Sequence, residues 1–115
     1  MTNPYRISDR EVPLTITGYF MPTCAPRSPV LAGMPDTEDL FIFVFATEAK
    51  LRAAMKDIGI DYERVAIIRD GRELIEEINA LNASGRPYRI RLAVDPCKAD
   101  NGRVRFVEPL LEEAP

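Results

Sequence analysis

Cys97 has the strongest claim to chemistry of any residue in the chain: it stands in VDPCKAD, just past an alternating apolar run. The carboxyl ends of strands are where α/β sheets bind ligands, and the neighbouring Lys98 would favour a reactive thiolate. A nucleophilic cysteine also needs an activating partner, and the sequence contains no histidine. That absence removes the commonest general base, the commonest metal ligand and every Ser-His or Cys-His pair. Cys24 shares no motif with Cys97, and two thiols cannot complete a structural zinc site without carboxylate help. The sequence therefore assigns no catalytic, cofactor-binding or metal-binding residue and predicts no cofactor. Cys97 is carried forward only as a candidate reactive thiol.

Anion binding has one candidate position. The turn IIRDGREL places Arg72 at a helix start, where free amides can hold a phosphate. Asp70 ahead of it is a favourable N-cap, and its carboxylate would occupy those amides and repel an anion. Neither GxGxxG nor a P-loop pattern is present. Paired acids such as Glu76 and Glu77, or Glu112 and Glu113, are sequence neighbours that do not face each other on a helix, so no acid/base pair is indicated.

Interaction surfaces have better candidates. Lys50, Lys56 and Lys98 are the only lysines among 15 basic residues, so arginine dominates. Arg89, Arg91, Arg103 and Arg105 project from two alternating runs. Should those runs pair, their outward faces would form one basic patch suited to a carboxylate- or phosphate-bearing partner. Glu73, Glu76, Glu77 and Glu108 could instead balance them as an ordinary solvated sheet face. Tyr19 and Phe20, in GYFMP, could form a hydrophobic docking surface with Val30, Leu31 and Met34, or simply cover the sheet. Asp36, Glu38 and Asp39 read as solvation ahead of a buried strand.

The elements that must position these residues follow from periodicity. Val12–Met21, VPLTITGYFM, predicts a first strand with Leu14 and Ile16 on one face. Residues 22–39 carry Pro22, Pro26, Pro29 and Pro35, which predicts a long surface loop. Leu40–Ala46 is a continuous apolar run, the mark of a strand buried on both faces. Thr47 then caps a helix whose stripe is Leu51, Ala54, Met55 and Ile58, ended by Gly59. Val65–Ile68 predicts a second buried strand. Asp70 to Glu73 opens a second helix with Leu74, Ile75, Ile78 and Leu81 inward and Gly85 as C-cap. Tyr88–Asp95 alternates as a half-exposed strand stopped by Pro96. Asn101-Gly102 marks a turn, and Arg103–Glu108 alternates again. The closing PLLEEAP predicts one helical turn. The fold class is thus α/β, or α+β, with a mixed sheet of about five strands, a central β-α-β-α-β unit and two main helices.

Composition bounds the rest. At 115 residues the chain is expected to be a single domain, 1–115, with residues 1–11 loosely held. A net charge of −3 gives no basic footprint for nucleic acid. No apolar run approaches a membrane span and no signal-peptide pattern opens the chain, so a cytoplasmic protein without a membrane or nucleic-acid partner is expected. Two distant cysteines suit a reducing compartment.

Four segments together resemble the N-terminal domain of the SseB family. They are GYFMP (18–22), LFIFVFATEAKLRAAM (40–55), DGRELIEEI (70–78) and RIRLAVDP (89–96), and the likeness spans residues 18 to 110. The chain departs from the pattern at Ala46, between Phe45 and Thr47, and at Asp95, where Asn is common. The resemblance implies a compact α/β module and transfers no catalytic residue. The expected function is a non-enzymatic protein–protein interaction module, using an exposed sheet face or the Pro-rich loop to bind another protein or itself. Two alternatives stay open: a small-molecule-binding or thiol-dependent enzyme with its site near Asp95 and Cys97, and a homo-oligomeric structural component assembled through an edge strand.

Overall fold

The computed structural model describes residues 12–25 and 28–109. The expectations for residues 1–11 and for the helical turn of the closing segment beyond Pro109 fall outside them. The chain is α/β, with seven strands in two sheets and three helices among the described residues. The elements are α1 (Val12–Ile16), β1 (Phe20–Ala25), β2 (Ser28–Pro29), β3 (Leu31–Met34), β4 (Thr37–Val44), α2 (Glu48–Ile58), β5 (Arg64–Ile67), α3 (Gly71–Ala83), β6 (Ile90–Lys98) and β7 (Val104–Val107).

The main sheet runs β3-β4-β6-β7, and only its central pair, β4 with β6, is parallel. β4 is buried on both faces because the strand's period of two sends its large side chains alternately to two cores. Ile42 and Val44 join Ile16, Leu74, Ile75 and Ile78, from α1 and α3. Phe41, Phe43 and Phe45 join Leu51, Ala54 and Met55 of α2. β6 divides the same way: Ile90, Leu92 and Val94 lie toward α3, and Ala93 lies under α2. The predicted half-exposed β6 is therefore covered on both faces along its centre.

Both long helices are capped as their sequences indicate. The Lys50 amide donates to the Thr47 hydroxyl at 3.1 Å, and Gly59, at φ 84°, closes α2 with its N–H on Met55 O. The Arg72 amide donates to Asp70 Oδ1 at 2.9 Å. The C-cap of α3 is Ser84 and not Gly85, which follows it at φ 80°. Asn82, buried in the last turn of α3, holds the start of β6: its Nδ2 donates to Ile90 O at 2.9 Å and its Oδ1 accepts from Ile90 N at 2.7 Å.

Four other expectations change. The predicted strand over Val12–Met21 is a short helix followed by the start of β1. Pro13 sits in the first turn, where no amide is required, and Thr17 N–H reaches Pro13 O at 3.1 Å. Leu14 and Ile16 accordingly part company, at 83 % and 0 % exposed. Gly71 lets this helix dock, since a Cβ there would lie 2.4 Å from Pro13 O.

The described part of the Pro-rich segment is mostly strand, holding the end of β1, β2, β3 and the start of β4. The Pro22 carbonyl accepts from Val30 N–H at 3.0 Å, so its ring nitrogen lies on that same side and the pairing with β5 on the other side lacks no donor there. Val65–Ile67 belongs to β5, which runs antiparallel to β1 at the edge of the small β2-β1-β5 sheet, leaving Ile67 57 % exposed. Two backbone bonds between Phe20 and Phe45, at 2.7 and 2.8 Å, join the two sheets. Pro96 does not stop β6: the strand passes through it in a bulge and ends at Lys98.

Candidate functional site

Two of the concave surfaces hold the candidate residues Cys97, Arg91 and Arg103. The first is a cleft of about 310 Å³ at the carboxyl end of the parallel pair, between α2 and the β6 bulge. The bulge places Asp95 at φ 48°, a left-handed conformation that Asp tolerates better than most residues. Its Oδ1 accepts from Ala46 N at 2.9 Å, which ties β6 to the turn entering α2, and Lys50 Nζ stands 3.8 Å from its Oδ2. Phe45 and Ala54 supply the apolar wall, and Asp57 and Cys97 complete the rim. Cys97 is a free, exposed thiol at this cleft, and Cys24 is a second one on β1, with its Sγ 3.8 Å from Ser28 O. Without histidine, this arrangement offers the thiol no imidazole base.

The second surface is a groove of about 450 Å³, where the Met34–Thr37 and Asn101–Val104 segments form two walls. Its floor is Arg91. The guanidinium lies over the Phe41 ring at 4.7 Å, and Phe106 meets Phe41 edge-on at 5.2 Å. Arg91 Nε donates to Glu108 Oε2 at 2.7 Å, Nη2 donates to Glu108 Oε1, and Nη1 donates to Asp39 Oδ2 at 3.4 Å. The bonds to Glu108 raise the Arg91 pKa above its ordinary value, against the lowering effect of burial. Across the mouth, Arg103 Nη1 stands 3.4 Å from Asp36 Oδ2, an exposed pair joining the two walls.

The four sequence-predicted arginines are thus not equivalent. Arg91 and Arg103 meet in the groove. Arg89 Nη1 turns to Asn82 O, at the end of α3, at 3.0 Å. Arg105 is exposed opposite Cys97 on β7. Tyr19 and Phe20 are partly buried against the two cores, one on each. Asp39 is more than solvation: it also accepts from Arg89 N at 2.9 Å. The alternation of Val104 with Phe106 is the one sequence signal for the groove's aromatic side; nothing in the sequence pairs Phe106 with Phe41.

Comparison with known proteins adds no relative: no family model, no curated protein and no solved structure matches the chain. Among the described residues, no three Cys, Asp or Glu side chains gather to hold a metal ion, and no helix is long and apolar enough to cross a membrane.

Proposed function

We propose that this chain is a non-enzymatic protein–protein interaction module of the cytoplasm that docks its partner in the Arg91 groove. The observation that carries it is the groove's construction. α2 covers one part of the sheet face, and two hairpin turns rise over the rest around a partly buried, fully ion-paired arginine. Partly exposed Met34, Val104 and Phe106 give the walls an apolar rim, the composition that anchors a partner side chain. The loop version of the interaction idea has less support, because residues 22–39 are largely strands that pair within the body. Kinship with the SseB family stays part of the proposal, supported by the four quoted segments.

The test is hydrogen–deuterium exchange on the complex with a captured partner. Slowed exchange at residues 34–37 and 101–104 is expected. Protection confined to α1, β5 or the Asp95 cleft would refute the groove as the docking surface.

A second reading has one observation in its favour. Asp95 holds a positive φ at a cleft beside the carboxyl ends of parallel strands, and such outliers gather at ligand sites. It predicts that a small molecule raises the melting temperature of the protein and that Asp57→Ala with Cys97→Ala abolishes the shift. A metabolite panel that leaves the melt unchanged argues against it.

A further inference from the structure

We infer that the groove receives an aromatic side chain of the partner protein, stacked on the open face of Arg91, and that it does not receive an anion; this rests on the groove being the docking surface. A carboxylate or phosphate is recognised by the edges of a guanidinium, through its five in-plane N–H groups. In Arg91 the Nε/Nη2 edge is filled by both oxygens of Glu108, and Nη1 is engaged by Asp39. Three of the five N–H groups are thus taken, and an incoming anion would reach the remaining Nη1 and Nη2 hydrogens only beside the carboxylates of Glu108 and Asp39.

The charge balance also opposes an anion. Asp36, Asp39 and Glu108 set three negative charges against two from Arg91 and Arg103, a local net of −1. What Arg91 offers away from those carboxylates is a face. One side of the plane lies on Phe41, and the side chain remains 26 % exposed where it lines the groove. A guanidinium is weakly hydrated and stacks on aromatic rings, so that open face suits a ring. Phe106, Val104 and Met34 surround it with apolar surface, and about 450 Å³ is room enough for one aromatic side chain. The result is a sandwich of Phe41, Arg91 and the partner's ring.

The test is an NMR titration of the full chain with N-acetyltryptophanamide, set against acetate and inorganic phosphate at matched ionic strength. The tryptophan amide is expected to shift the Arg91 Nε–H and the amides of 34–37 and 101–104 along one saturable curve, with acetate and phosphate leaving them in place. Arg91→Lys keeps a cation and loses the plane, so it is expected to weaken that binding about threefold to fivefold. If Arg91→Lys does not fold, Val104→Arg, which fills the groove from its wall, is expected to abolish the shifts. Acetate or phosphate shifting these resonances at lower concentration than the amide would overturn the inference, as would the absence of a saturable amide curve. An exchange footprint on the groove with no amide binding would overturn the aromatic inference alone. A footprint elsewhere would overturn the docking surface, and this inference with it.

Discussion

Replacing Arg91 with Met should destabilise the fold far more than removing an ordinary surface charge. Met keeps much of the apolar stem over Phe41 and removes the guanidinium. Glu108 and Asp39 then both lose their bonds to the Arg91 guanidinium, at 25 % and 19 % side-chain exposure. An exposed ion pair contributes about 0–1 kcal/mol, and stranding one partner of a fully buried pair costs about 3–5 kcal/mol. With roughly three-quarters of each carboxylate's surface covered, the cost should fall near 2–3 kcal/mol. The double variant Arg91→Met with Glu108→Gln removes one stranded charge and should recover about 1 kcal/mol of that loss. Urea unfolding at neutral pH measures both, provided the denaturant slope stays constant. The sign of the pH dependence is fixed as well. The Arg91 pKa is raised, so its contribution is complete below the ordinary arginine value and is lost only as pH climbs through the still higher folded value. The stabilisation from Arg91 should therefore be flat across neutral pH. A loss below about 0.5 kcal/mol for Arg91→Met, or strict additivity in the double variant, would refute this account of the groove floor.

Three further substitutions test the framework. Gly71→Ala would ordinarily favour a helix by about 0.5–1 kcal/mol; here the added Cβ meets Pro13 O, so a lower melting temperature and faster amide exchange in α1 are expected. Asn82→Ala strands both backbone groups of Ile90 and should cost about 2–4 kcal/mol in urea unfolding; a cost under about 1 kcal/mol would mean those bonds do not hold β6. Asp95→Asn keeps both the acceptor for Ala46 N–H and a residue suited to positive φ, so stability should stay within about 0.5 kcal/mol. Asp95→Ala loses both and should cost about 1–2 kcal/mol in the same assay.

The α/β class, β4, both long helices and their N-caps were legible because each is a local signal that tertiary structure reinforces. Leu40 to Ala46 reads as buried on both faces and is placed between two cores. Local signals failed where a partner distant in sequence decided the outcome. Val12 to Ile16 fits a strand or a helical turn equally well, and its close approach to Gly71 selects the turn. The prolines of 22–39 argue against strands only where a ladder needs their missing donors, and at Pro22 the ladder to β5 does not, because the ring nitrogen lies on the side of Val30. The four arginines look alike in sequence. Their division depends on which acids and carbonyls the sheet order brings near them, and no spacing rule contains that. Asp95 stands near Cys97 in the sequence, but its tie to Ala46 spans 49 residues and needs the parallel pairing of β4 with β6.

The central claim is that the groove between the 34–37 and 101–104 turns is the docking surface. Quantitative affinity capture with three tagged baits tests it most directly: the unaltered chain, Val104→Arg, and Leu14→Arg as a control on α1, where Leu14 is 83 % exposed. One stoichiometric partner should be retained by the unaltered chain and by Leu14→Arg, and fall at least about tenfold on Val104→Arg, a difference of roughly 1.4 kcal/mol. Equal retention by all three folded baits, or loss on Leu14→Arg alone, would contradict it.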